Sequence, residues 1–227
     1  MTIHDGLVIF DCDGVLIDSE SIACSAISET LADFGISMTQ REALDAFVGK
    51  SENDVRLDLR TRGLEDYDKY VASWRVKLYA AFAKDLKTIQ GIEALIEQLE
   101  APKCVASNSS HERLERSLGT TSIWSHFSPR VYSAEDVEHP KPAPDLVQHC
   151  LSSCNARPET SIMIDDSASG VTAALAAGVT PIGFVDPNDP RPSREQILRD
   201  AGATIVATGS EDLLRALKSL SVPFRNS

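Results

Sequence analysis

Asp11-Cys12-Asp13-Gly14 follows directly on the apolar run Leu7-Val-Ile-Phe10. A short run of this kind suits a strand buried on both faces. Carboxylates are costly beside such a strand unless a cation or hydrogen bonds compensate them. In open α/β sheets the carboxyl end of a strand is also where ligands bind. Asp-x-Asp-Gly at that place suggests a hard metal, a nucleophilic carboxylate, or both. Three further apolar runs lead into polar groups: Ser107-Asn108-Ser109 after 103–106, Lys141-Pro-x-Pro after 130–132, and Asp165-Asp166-Ser167 after 161–164. Together they offer a nucleophile, a hydroxyl, a cation and a further carboxylate. That inventory fits phosphoryl transfer, in which positioning and charge neutralisation supply most of the catalysis.

These groups meet only if the elements beneath them bring the strand ends to one edge. Strand-like runs occur at 7–10, 103–106, 130–132, 161–164 and 181–185, with a last one at 204–206. Helical periodicity is read at 91–100, 111–118, 144–154, 168–177, 193–201 and 211–220. Alternation of strand and helix predicts an α/β fold with a Rossmann-like, doubly wound parallel sheet. Parallel strands point the same way, so the four polar strand ends converge. Residues 18–87 contain helical patterns at 20–34, 40–47, 52–62 and 66–84 and no strand-like run, so they read as a small helical domain inserted after the first strand. The expected division is a catalytic core of 1–17 and 88–227 around an inserted unit of 18–87, with hinges near 17–19 and 87–90. Pro187–Pro192 reads as a loop on the sheet's rim.

Each of these residues also has a plainer reading. Asp13 suits a turn ahead of Gly14. Asp18 and Ser19 suit a helix cap or a hinge. Ser107 and Asn108 suit a helix cap, Lys141 a solvated loop, and Asp165 and Asp166 the N-cap of the helix through Ala177. The coincidence of all four sets on predicted strand ends favours the chemical reading. The histidines at 4, 111, 126, 139 and 149 have no triad or metal spacing.

Composition narrows the partners. The formal charge of -12 disfavours nucleic acid and anionic membranes, while a metal and a few lysines can still invert the field inside a cleft. Five scattered cysteines include no zinc spacing and indicate a reducing, cytoplasmic setting. No signal peptide and no membrane span is expected. A monomer or weak dimer is expected.

The segments Asp-Cys-Asp-Gly-Val, Val-Ala-Ser-Asn-Ser, His-Pro-Lys-Pro-Ala-Pro-Asp and Ile-Asp-Asp-Ser-Ala-Ser-Gly-Val-Thr-Ala-Ala-Leu-Ala-Ala-Gly resemble, in this order, the four motifs of the haloacid dehalogenase superfamily. The inserted helical unit resembles the small cap of its beta-phosphoglucomutase-like branch. The resemblance implies that Asp11 is a nucleophile forming an aspartyl-phosphate and that Asp13 protonates the leaving alcohol and then deprotonates water. It implies Mg²⁺ on the Asp11 carboxylate, the Asp13 backbone carbonyl and Asp166. Ser107, the backbone amide of Asn108 and that of Cys12 or Asp13 would hold the phosphate. Lys141 would neutralise nucleophile and phosphoryl group. Asp165 would be either a supporting anchor or a direct ligand.

Within that superfamily the second aspartate, Asp13, disfavours dehalogenation. A phosphomutase is disfavoured because Ala23 and Glu52 stand where the mutase branch has His and Arg. The implied activity is therefore a phosphatase acting on a small phosphorylated metabolite: a sugar, polyol or sugar-acid phosphate, with 6-phosphogluconate among the candidates. A phosphomutase or a non-catalytic binding module is the alternative. Selectivity is assigned to the cap loop 47–53, where Lys50 can pair with a sugar-acid carboxylate or stand as an exposed loop lysine.

Overall fold

The computed structural model describes residues 6–47 and 52–225. In chain order the first half forms β1 (Val8–Phe10), α1 (Glu20–Asp33), α2 (Gln40–Phe47), α3 (Glu52–Thr61), α4 (Tyr67–Asp85), α5 (Ile92–Gln98), β2 (Lys103–Ser107), α6 (His111–Arg116), α7 (Trp124–Phe127) and β3 (Val131–Ser133). The second half adds α8 (Asp145–Ser153), β4 (Ile162–Asp165), α9 (Ala168–Ala176), β5 (Thr180–Val185), α10 (Arg194–Asp200), β6 (Ile205–Thr208) and α11 (Gly209–Ser219). Three strands, β2, β3 and β4, end one residue beyond their apolar patterns, and β6 ends two beyond. β2 includes Ser107 and β4 includes Asp165, so both polar residues end a strand rather than begin a loop. The one-turn helix α7 is absent from the sequence pattern, since four residues are too few to display a helical period.

The strands form one parallel sheet in the order β3-β2-β1-β4-β5-β6, the doubly wound arrangement expected from their alternation with helices. β1 is fully buried because every residue is apolar and both faces are covered. On one face Leu7 and Ile9 pack with Cys104, Ala106 and Met163 of the neighbouring strands and with Leu146 and Val147 of α8 and Ala173 and Ala174 of α9. Phe10, turned the other way by the period of two, meets Phe127 of α7 edge-on at 5.7 Å between ring centres. Each such side chain contributes about 1.5–3 kcal/mol on burial.

Chain connections pass from β1 to β2 and β3 on one side, then return to place β4 on the other side of β1. That reversal is the switch point at which open α/β sheets bind ligands outside the carboxyl ends of their strands. Phe10 is level with Val105 and with Ile164, so Asp11 emerges between the ends of β2 and β4.

The chain divides into two compact units, residues 1–17 with 88–227 and residues 18–87. The second is wholly helical where described. Cys24 and Leu31 of α1, Ala43 and Phe47 of α2, Leu59 of α3 and Tyr70 of α4 share its core. Asp66 caps α4 by accepting from Lys69 N–H at 2.9 Å. Ser19 is the N-cap of α1 by position, and its side chain makes no capping bond. Among the described residues no helix is long and apolar enough to cross a membrane.

Candidate active site

The end of β1 places Asp11 in a buried position, with its N–H bonded to the Ile164 carbonyl at 2.9 Å. Lys141 reaches it from the loop before α8. Its Nζ donates to Asp11 Oδ1 at 2.7 Å, to Asp165 Oδ2 at 2.8 Å and to the Ala106 carbonyl at 3.0 Å. An ammonium has three protons, and all three are used. Only 3% of the Lys141 side chain is exposed, so the solvated-loop reading of this lysine does not hold. Burial opposes its charge, but Asp11 and Asp165 outweigh burial and hold the ammonium above the ordinary lysine range.

Asp11 is pushed well above the usual carboxylate range by burial, against the pull of Lys141, with Asp165 and Asp166 pushing in the same upward direction. Asp165 has both oxygens engaged. Oδ2 accepts from Lys141, and Oδ1 accepts from the Ser167 N–H at 2.9 Å and its hydroxyl at 2.6 Å. A side chain at Gly170 would land on the Asp165 carboxylate, so only glycine leaves room for it there. Ser167, rather than either aspartate, caps α9, through Gly170 N–H at 3.1 Å.

Asp166 lies one residue beyond β4, and burial and Asp165 raise its pKa to about 6 against the opposing pull of Arg191 and Arg194. Gly14, at φ +79°, passes so close that a Cβ there would stand 2.7 Å from Asp166 Oδ2. Among the described residues Asp11, Asp165 and Asp166 form one buried group whose ligand oxygens lie within 4.8 Å of one another. Hard carboxylate oxygens at that spacing suit a magnesium- or calcium-type cation. With both oxygens of Asp165 bonded, Asp11 and Asp166 are the better-placed pair of that group.

Asp13 sits in the turn that Gly14 closes, where Gly14 N–H bonds the Ile17 carbonyl at 3.0 Å. The turn read for Asp13 is thus present. Oδ2 accepts from the Ser109 hydroxyl at 2.8 Å and Oδ1 from Arg113 at 3.2 Å. Both contacts use Asp13 as an acceptor, the role of an ionised carboxylate.

Ser107 is buried at the end of β2, and its Oγ accepts from the Ser109 N–H at 3.2 Å. The Asn108 side chain is turned to Lys141. Its amide donates to the Lys141 carbonyl at 2.9 Å and its oxygen accepts from the Lys141 N–H at 3.1 Å. Ser110, not Ser107 or Asn108, caps α6. The structure thus brings Asp11, Lys141, Asp165 and Asp166 into direct association, with Ser107 at the adjoining end of β2 and Asp13 and Asn108 just past the ends of their strands. Lys50 lies outside the described residues.

The sequence marks Ser109 only as part of the polar strand end 107–109, and does not mark Arg113, Asp189, Arg191 and Arg194 as site residues. Ser109 and Arg113 hold Asp13, while the two later arginines contact Asp166. The one available signal for the last group was Asp189-Pro-Arg-Pro-Ser-Arg194 just past a strand, since β5 ends at Val185. This segment stands at the same sheet edge as the other strand ends.

Similarity to known proteins agrees with this geometry. A 6-phosphogluconate phosphatase of Escherichia coli K12 is 30% identical over 187 residues, covering 80% of this chain and 84% of that protein. A haloacid dehalogenase-like protein of Agrobacterium tumefaciens has a solved structure with TM-score 0.82 and 31% identity, covering 95% of this chain and 98% of its own. A HAD family hydrolase of Deinococcus radiodurans, solved with bound phosphate and sodium, has TM-score 0.83 and 27% identity over 98% of this chain and 99% of its own. The family model described as haloacid dehalogenase-like hydrolase matches residues 8–184, the span that holds every carboxylate of the cluster and Lys141, and the chain belongs to that family.

Proposed function

We propose that this hydrolase is a Mg²⁺-dependent phosphatase that cleaves a small phosphorylated metabolite through a phosphorylated Asp11. The observation that carries the reading is the buried Asp11 carboxylate held by Lys141 at 2.7 Å within one cluster of acids that includes Asp166. Asp11, the Asp13 carbonyl and Asp166 would hold the cation, which supplies positive charge for the phosphate and for the crowded carboxylates. Asp11 attacks phosphorus as a carboxylate, and Lys141 keeps its counter-charge beside the attacking oxygen throughout. Ser107 Oγ and the Asn108 N–H orient the phosphoryl oxygens. Asp13 gives its proton to the departing alcohol oxygen, then takes one from the water that cleaves the acyl phosphate.

The similarity to a 6-phosphogluconate phosphatase supports a sugar, polyol or sugar-acid phosphate as substrate. The helical unit 18–87 would supply the selectivity among such substrates, with Lys50 pairing with a substrate carboxylate. A monomeric or weakly dimeric protein of the cytoplasm is the matching setting.

The test is p-nitrophenyl phosphate hydrolysis with Mg²⁺ and with EDTA, followed by a panel of phosphorylated sugars, polyols and sugar acids. Mg²⁺-dependent release that disappears in Asp11→Asn is expected. Release that survives both EDTA and Asp11→Asn would sink the proposal.

A further inference from the structure

Asp166 is held from outside the acid cluster by the connection between β5 and α10. Arg191 Nη2 lies 3.2 Å and Arg194 Nη2 3.3 Å from the same oxygen, Asp166 Oδ2. Arg194 Nη2 also donates to the Asp166 main-chain carbonyl. One guanidinium therefore ties the carboxylate to its own peptide and restricts rotation of the side chain. Both arginines bind one oxygen, which leaves Oδ1 outside the clamp.

The arginines are themselves fixed. Asp189 accepts from Arg191 Nε at 2.8 Å through Oδ1 and 3.0 Å through Oδ2, from Arg191 Nη2 at 2.6 Å, and pairs with Arg194 Nε at 3.3 Å. Asp189 Oδ1 also accepts the Arg191 backbone N–H at 2.9 Å, so the turn is shaped by the same carboxylate that aims the side chain. Side-chain exposure is 16% for Arg191, 14% for Arg194 and 8% for Asp189. Simple neutralisation of Asp166 would need one cation in any orientation. Two planar forks held by a common carboxylate fix a direction as well as a charge.

We propose that Arg191 and Arg194, braced by Asp189, are positioning residues that hold Asp166 in the orientation from which it binds the divalent cation. The inference rests on the reading of Asp166 as a metal ligand. Groups that hydrogen-bond a metal ligand from behind commonly govern metal affinity by about 10–100-fold. The segment Pro187–Arg194 is then part of the site.

The test measures Mn²⁺ binding to the EDTA-treated, dialysed full chain by electron paramagnetic resonance, with Mg²⁺ as competitor and without substrate. Arg194→Gln and Arg191→Gln are expected to weaken Mn²⁺ binding by about tenfold or more, while each variant still melts cooperatively in EDTA. Asp189→Asn is expected to weaken it in the same direction. Arg194→Lys keeps the charge but has a single nitrogen, which cannot bridge Asp166, met by Nη2, and Asp189, met by Nε, as the guanidinium does, so it is expected not to restore affinity. Wild-type affinity in the Gln variants, tighter binding in them, or full restoration by Lys would each overturn the proposal while leaving the metal reading intact. Failure of the wild-type chain to bind Mn²⁺ would overturn the metal reading and this proposal together.

Discussion

Asn108 and Lys141 clasp one another across 33 residues of sequence through two reciprocal bonds, amide to carbonyl at 2.9 Å and N–H to amide oxygen at 3.1 Å. The end of β2 thereby fixes the main chain from which the Lys141 ammonium reaches Asp11. Lys141 has a flexible four-carbon stem, so its accuracy depends on where that stem starts.

Asn108→Ala removes both bonds. At about 1 kcal/mol each the loss is about 2 kcal/mol, and the melting temperature should fall by roughly 4–8 °C. A lower kcat should accompany it, because Lys141 can no longer be held against Asp11 as accurately. Calorimetry and steady-state kinetics check this, and unaltered melting would refute the clasp.

Asp13→Asn should separate the two half-reactions. Nitrophenolate leaves without a proton, so Asp11 should still be phosphorylated by p-nitrophenyl phosphate, whereas the following hydrolysis lacks its base. We expect a stoichiometric burst of nitrophenolate and a steady rate lower by roughly 10²–10⁴-fold. With an alkyl phosphate the burst should vanish. Rapid-mixing absorbance for the aryl ester and a quenched-flow assay of released alcohol for the alkyl ester distinguish these outcomes.

Gly14→Ala and Gly170→Ala should each damage the site through a single methyl group. At Gly14 the new Cβ meets Asp166 Oδ2 at 2.7 Å and must also adopt φ +79°. At Gly170 it lands on the Asp165 carboxylate that supports Lys141. Overpacking of this kind costs roughly 1–3 kcal/mol, and turnover should fall in both. Gly35→Ala, with a positive φ of +76° and nothing within 4 Å, supplies the control for backbone strain alone. Equal loss of turnover in all three would argue against the close approach.

Metal-free protein should gain stability on mild acidification. The Asp166 pKa is raised from 3.8 to about 6 in the folded state. The folded chain therefore binds more protons than the unfolded chain between those values, and stability falls as pH rises through that window. Between pH 7 and pH 5 this group should add about 1 kcal/mol, or roughly 2–4 °C. Melting in EDTA at the two pH values, for the wild type and Asp166→Asn, measures it. A wild-type slope no steeper than that of the variant would contradict the assignment.

The fold was legible because its signals are local. The apolar runs that become β1, β2, β4 and β5 and the intervening helical patterns each lie within about twenty residues of sequence, and strand–helix alternation has few packed solutions. The types of residue at the strand ends were legible for the same reason. Asp11, Ser107, Lys141, Asp165 and Asp166 each follow an apolar run directly or by a short loop. What each side chain touches was not legible. Asp13 meets Arg113 across 100 residues and Asp166 meets Arg194 across 28, separations at which no period or spacing links two charges. The solvated-loop reading of Lys141 was excluded the same way, by burial against two carboxylates from distant segments. Sequence alone determined which chemical groups reach the sheet edge. Tertiary structure alone decided their partners, because an ion pair between distant segments exists only once a whole sheet has fixed the distance between them.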